Sequence, residues 1–208
     1  MTALLDQIAT ARLVPVVVLD DAARAAPLAE ALVAGGLPVA EVTFRTAAAV
    51  ESIRAMAANP EMLVGAGTVL TVEQVDAAVD AGARYIVSPG FSVSVVRRAR
   101  ERGVLALPGT VTATEVQAAL GEGLTAVKFF PAETSGGAAA IKALSAPFAD
   151  VRFVPTGGIG PKNVAEYLAL PCVLAVGGSW MVPRDVVAAG DFARITDLTA
   201  EAVRLTRV

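Results

Sequence analysis

Short apolar runs alternate along the whole chain with alanine-rich amphipathic stretches. The strand-like runs are residues 13–19, 39–43, 63–68, 85–88, 105–108, 126–129, 152–155 and 173–176. Their starts lie roughly 20–26 residues apart, room for a strand, a loop, a short helix and a return loop. Apolar spacing and end signals predict helices between them. Thr71 before Val72-Glu73-Gln74 is a capping-box-like start, and Thr112 with Glu115 repeats it. Gly82 and Gly103 stand where helices would stop.

Eight apolar strands separated by helices predict a parallel sheet buried on both faces. The expected fold is α/β, a compact (β/α)8 TIM barrel forming one domain over residues 1–208, with a short N-terminal helix. Such barrels typically have about 250 residues, so this one has little room for insertions. The rival is an open doubly wound sheet. The first run, however, leads into Asp20-Asp21 and not into a glycine-rich phosphate turn, which favours the barrel.

Composition narrows the chemistry. Hydrophobic residues make up 55% and charged residues 18%, which excludes a disordered chain. A net charge of −3 with no basic block argues against nucleic acid and against an anionic membrane surface. The chain has no histidine, so Ser-His-Asp and Cys-His catalysis and imidazole metal sites are excluded. Cys172, the only cysteine, rules out a disulfide framework and reads as a buried thiol, not a nucleophile. The uncharged stretch at 167–183 is broken by Pro171, Gly177 and Gly178, so no membrane span is expected. Residues 1–7 lack a basic start and an apolar core, so no export signal is expected and the cytoplasm is the expected compartment.

Chemistry in a barrel collects at the C-terminal strand ends. Lys128 lies on the sixth run and is one of three lysines among 17 basic residues. Lysine, unlike arginine, can lose its proton and attack a carbonyl to form a Schiff base. Burial disfavours a charged amine, as does a nearby guanidinium, for which Arg45 is the candidate. The alternative is a strand-end lysine reaching for water. Glu41 sits within the second run on one face with Val39 and Thr43. Glu41 and Arg45 read either as a structural ion pair or as a proton shuttle beside a carboxylate grip. Thr68 ends the third run at the same mouth. Gly157-Gly158 and Gly177-Gly178-Ser179 follow the seventh and eighth runs. Glycine pairs there are either plain turns or backbone cradles for a phosphate.

These motifs together resemble the 2-keto-3-deoxy-6-phosphogluconate (KDPG) aldolase family, class I enzymes that include 4-hydroxy-2-oxoglutarate (KHG) aldolases. The matching segments are Glu41-Val42-Thr43-Phe44-Arg45-Thr46, Gly65-Ala66-Gly67-Thr68-Val69-Leu70 and Ser88-Pro89-Gly90. Lys128-Phe129-Phe130-Pro131-Ala132-Glu133, Pro155-Thr156-Gly157-Gly158-Ile159 and Gly177-Gly178-Ser179-Trp180 complete the set in family order. The resemblance implies that Lys128 is the Schiff-base lysine and Glu41 the general acid/base. It implies that Arg45 and Thr68 bind the substrate carboxylate, and that Gly157, Gly158, Gly178 and Ser179 surround a phosphate. Phe130, Thr156 and Pro89 would line the pocket. It implies a homotrimer acting on a small 2-keto acid without metal or cofactor. A relative preferring the galactonate epimer and a phosphate-binding barrel isomerase or epimerase are the alternatives. Phe44 stands where the family often has leucine, a packing change, and Thr110 is expected at the substrate mouth with an effect on preference.

Overall fold

The computed structural model describes residues 2–206. Its strands are β1 (Leu13–Val17), β2 (Val39–Thr43), β3 (Leu63–Gly67), β4 (Tyr85–Ser88), β5 (Leu105–Thr110), β6 (Ala126–Phe129), β7 (Arg152–Pro155) and β8 (Val176–Gly178). All adjacent pairs are parallel, in the order β7-β6-β5-β4-β3-β2-β1-β8. The two ends of that order meet through single bridges, Phe153 with Val173 and Thr156 with Gly177. Phe153 N donates to Cys172 O at 2.8 Å, and Leu174 N donates to Phe153 O at 2.9 Å. The sheet therefore returns on itself as a nearly closed (β/α)8 barrel.

Helix α1 (Thr2–Ala11) precedes β1. Strands β1 to β6 are followed in turn by α2 (Ala25–Ala34), α3 (Ala49–Ala57), α4 (Val72–Asp80), α5 (Val93–Glu101), α6 (Ala113–Gly121) and α7 (Gly137–Ser145). The short α8 (Val164–Leu168) follows β7, and α9 (Arg184–Ala189) and α10 (Phe192–Thr206) follow β8. Every residue of β2 through β6 is buried, as strands covered on both faces require. Thr112 and Glu115 form a complete capping box at α6. At α4 only half of the box forms: Thr71 Oγ1 accepts from Gln74 N, while the Gln74 side chain accepts from Leu70 N at 2.7 Å. Gly82 (φ +106°) and Gly103 (φ +71°) close α4 and α5 in the left-handed conformation.

Four strands differ from the apolar pattern, β3 only in ending at Gly67 where Thr68 was expected. Strand β1 stops at Val17, β5 runs on through Pro108-Gly109 to Thr110, and β8 occupies Val176–Gly178 where 173–176 was expected. Glycines in β5 and β8 pair with neighbouring strands, Gly109 with Lys128 and Gly177 with Val14, and other groups press against them where a side chain would be. A Cβ at Gly177 would lie 2.2 Å from Thr156 Oγ1, and one at Gly109 would lie 2.0 Å from Pro89 O. Among the described residues, no helix is long and apolar enough to cross a membrane.

Candidate active site

Strands β2 and β6 each deliver one ionisable group into the barrel. Lys128 pairs in register with Gly109 on β5 and Val154 on β7, and Glu41 with Val16 on β1 and Gly65 on β3. The Lys128 Nζ donates to Glu41 Oε1 at 3.1 Å and to Oε2 at 3.4 Å. Their side chains are 7% and 4% exposed, so the amine does not reach bulk water. A buried charge without its partner is costly, so each group holds the other in place. The charge in contact with the amine is thus the Glu41 carboxylate. Arg45 is exposed at the end of β2, and the Glu41–Arg45 ion pair considered from sequence gives way to Glu41–Lys128. The Phe130 ring centroid lies 5.3 Å from Nζ, within cation–π range.

The space for this pair comes from the strand between. A Cβ at Gly67 would lie 2.2 Å from Glu41 Oε1, and one at Gly65 would lie 2.2 Å from the Tyr85 ring. Tyr85 is wholly buried and donates its hydroxyl proton to Ala40 O at 2.7 Å. Burial first, and then the Glu41 charge, push the Tyr85 hydroxyl pKa well above its ordinary value, so it remains a donor. Thr68 follows with φ +58°, a left-handed conformation that costs a β-branched residue about 1–3 kcal/mol.

A cavity of about 640 Å³ opens at this end of the barrel. Arg45, Phe130, Thr156, Gly157, Gly158, Gly178 and Ser179 all line it. The Thr156 hydroxyl is buried there with no hydrogen-bond partner among the described residues. Gly157 and Gly158 hold φ of +104° and +77°, conformations natural to glycine. Lys128 and Glu41, both buried, Thr68, half-buried, and Pro89 are not in the cavity wall; Phe130, which is, has its ring centroid 5.3 Å from the Lys128 amine. Thr110, expected at the mouth, is buried and donates its hydroxyl to Lys128 O at 3.2 Å; it supports the lysine strand and is not part of the cavity wall. Phe44 is partly buried and packs against the core. Cys172, read as a buried thiol, is half-buried beside the β7–β8 seam.

Several supporting residues carry no signal in the sequence beyond their place in a motif. Glu133 N donates to Gly157 O at 3.1 Å, and Ala132 N donates to Thr156 O at 2.8 Å, tying the segment after Lys128 to the glycine loop. A Cβ at Gly158 would strike Glu133 Cγ at 2.6 Å, and the Tyr167 hydroxyl donates to Glu133 Oε1. Burial, followed by that bond, raises the Tyr167 hydroxyl pKa. Asp20 and Arg184, read from sequence only as loop residues or not at all, also line the cavity. Among the described residues, no group of three or more His, Cys, Asp or Glu stands together to hold a metal ion.

Comparison with known proteins gives the family and the fold of the chain. The family model described as KDPG and KHG aldolase matches residues 4–198. A 2-dehydro-3-deoxy-phosphogluconate aldolase of Treponema pallidum is 49% identical over 209 residues, covering 100% of both chains. The 2-keto-3-deoxy-6-phosphogluconate aldolase of Zymomonas mobilis ZM4, solved with 3-phosphoglycerate, superposes with a TM-score of 0.92 at 44% identity, covering 98% of this chain and 97% of its own. The KDPG aldolase of Legionella pneumophila, with pyruvate captured at low pH as a covalent carbinolamine intermediate, gives 0.91 at 40% identity and covers 95% and 96%.

Proposed function

The chain belongs to the KDPG and KHG aldolase family, and from that premise we propose that Lys128 and Glu41 carry a Schiff-base aldol cleavage. The protein is a class I aldolase that cleaves 2-keto-3-deoxy-6-phosphogluconate to pyruvate and glyceraldehyde 3-phosphate. Cleavage of 4-hydroxy-2-oxoglutarate to pyruvate and glyoxylate is a second activity of the same site. The observation that carries the role of Lys128 is its buried contact with a carboxylate at 3.1 Å, with the amine 5.3 Å from the ring of Phe130, which lines a cavity of substrate size.

The steps follow from the pair. Proton transfer from the Lys128 ammonium to Glu41 frees the nitrogen lone pair without changing the net charge of the pair. The amine attacks the C2 ketone of the substrate, and Glu41 returns protons as the carbinolamine loses water to a protonated imine. Glu41 then takes the C4 hydroxyl proton, the C3–C4 bond breaks, and the iminium accepts its electrons as an enamine. The aldehyde product leaves. Protonation of the enamine at C3 and hydrolysis of the imine release pyruvate and restore the amine.

We assign the substrate carboxylate to Arg45 and Thr68 and the phosphate to Gly157, Gly158, Gly178 and Ser179. Phe130, Thr156 and Pro89 shape the pocket. The left-handed glycines and the unpartnered Thr156 hydroxyl support a polar ligand group at this rim. A homotrimer acting in the cytoplasm on a small 2-keto acid completes the proposal, on the strength of the family motifs. Incubation with pyruvate and borohydride should leave a reduced adduct on Lys128 alone, detected by peptide mass spectrometry. Lys128→Arg should lose both the adduct and turnover. An unlabelled Lys128 with cleavage activity intact would refute the assignment.

A further inference from the structure

The cavity wall holds three charged side chains, Asp20, Arg45 and Arg184. With Arg45 assigned to the carboxylate end of the substrate, Asp20 and Arg184 remain. They face each other across the rim, from the loop after β1 and the first residue of α9. One guanidinium nitrogen, Arg184 Nη2, donates to both Asp20 oxygens, at 2.9 Å and 2.7 Å. Both side chains are largely solvent-exposed, at 60% and 67%. Ser179 and Gly178 line the same wall.

We infer that Arg184 is a specificity-determining residue that exchanges Asp20 for the phosphate end of the substrate. An exposed ion pair has little net stability, because water and side-chain entropy offset the attraction. Arg184 can therefore be taken from Asp20 by a better partner at almost no cost. A phosphate ester is such a partner: it bears more negative charge than a carboxylate and offers three acceptor oxygens. Asp20 has the opposite effect. Alone at the rim it would repel a phosphorylated substrate; paired, it holds the guanidinium over the cavity mouth and cancels its charge until substrate arrives. Arg184 thus adds to the backbone cradle of the glycine loops a charge that they lack.

This inference rests on the aldolase reading above, and the test separates the two. KM and kcat would be measured with the phosphorylated six-carbon substrate and with 4-hydroxy-2-oxoglutarate, for the unmodified protein and for Arg184→Ala, Arg184→Lys and Asp20→Asn. Arg184→Ala should raise KM for the phosphorylated substrate about tenfold with kcat within about twofold. Arg184→Lys should recover part of that loss, as a point charge without the fork. Asp20→Asn should lower the same KM about threefold, since the guanidinium no longer has to be drawn from a carboxylate. The unphosphorylated substrate should respond less in every variant. An Arg184→Ala KM within twofold of the unmodified protein, an Asp20→Asn KM that rises, or equal effects on both substrates would each overturn the inference and leave the aldolase standing. Failure of pyruvate to label Lys128 in the unmodified protein would bring down both.

Discussion

Gly67→Ala tests the geometry of the site without touching a reacting group. The added methyl carbon would sit 2.2 Å from Glu41 Oε1, 2.5 Å from Cγ and 2.7 Å from Cδ. Ordinary contacts need about 3.5 Å, so the carboxylate must retreat by about 1 Å. Gly67 is not among the positive-φ glycines, so the backbone accepts alanine and the effect is steric. A retreat of that size takes Oε1 from 3.1 Å to about 4 Å from the Lys128 Nζ, beyond hydrogen-bond range. Misplacement of a catalytic group by about 1 Å costs about 100-fold in rate. Overpacking a buried strand also costs about 1–3 kcal/mol, and each kcal/mol lowers the Tm of a chain this size by about 2–4 °C. Steady-state kcat, the rate of pyruvate labelling and thermal melting would be measured together. Glu41→Gln supplies the reference. If Gly67→Ala acts through Glu41, the double variant should be little slower than Glu41→Gln alone. A kcat within about threefold of the unmodified protein, or losses that multiply in the double variant, would refute the reasoning.

Two further outcomes follow from the described geometry. Ser179→Asp places a carboxylate on the cavity wall beside Gly178 and should raise KM for the phosphorylated substrate by about 10–100-fold, with a smaller change for 4-hydroxy-2-oxoglutarate; equal changes would remove Ser179 from the phosphate site. On the outer face, hydrogen bonds from Arg98 and then Arg102 hold the Asp76 carboxyl below its ordinary range. A depressed carboxylate contributes stability that is present above its unfolded value of about 3.9 and is lost as pH falls through the lower folded value. The Tm difference between the unmodified protein and Asp76→Asn should therefore be constant above about pH 4 and shrink below it; a difference that does not change with acidity would contradict the shift.

The eight-strand rhythm was legible because parallel strands covered on both faces read as unbroken apolar runs, and Ala126–Phe129 and Val39–Thr43 match their strands residue for residue. Strand β8 was misplaced because its glycines look like a loop in one dimension. What makes them strand is backbone pairing with Val14 and Pro15 of β1, and what keeps them glycine is the Thr156 side chain and the Trp180 ring filling the space a Cβ would take, contacts made across the fold. Lys128 and Glu41 stood out as charges in apolar runs, but their mutual contact spans 87 positions and belongs to barrel closure. Arg45 was expected near the amine; it follows the end of β2 at Thr43, is exposed and lines the cavity, and the group that contacts the amine is the Glu41 carboxylate. Gly67, Tyr85 and Glu133 act by shape and by backbone contact, which residue type alone does not announce. Asp20 and Arg184 are ordinary surface residues until the fold brings them together from 164 positions apart.

The depth at which the charges lie divides the reaction by its response to ionic strength. Mobile ions gather around groups open to water and weaken their attraction beyond about 8 Å at physiological concentration. The Arg184–Asp20 rim is within their reach, whereas the Lys128–Glu41 contact is sealed from them. Added electrolyte should therefore weaken the hold of Arg184 on a bound anionic substrate and raise its KM, while leaving the bond-breaking events of a saturated enzyme almost untouched. Two layers of charge, one immersed and one dry, let the molecule tune recruitment to its surroundings without disturbing the step that makes and breaks carbon–carbon bonds.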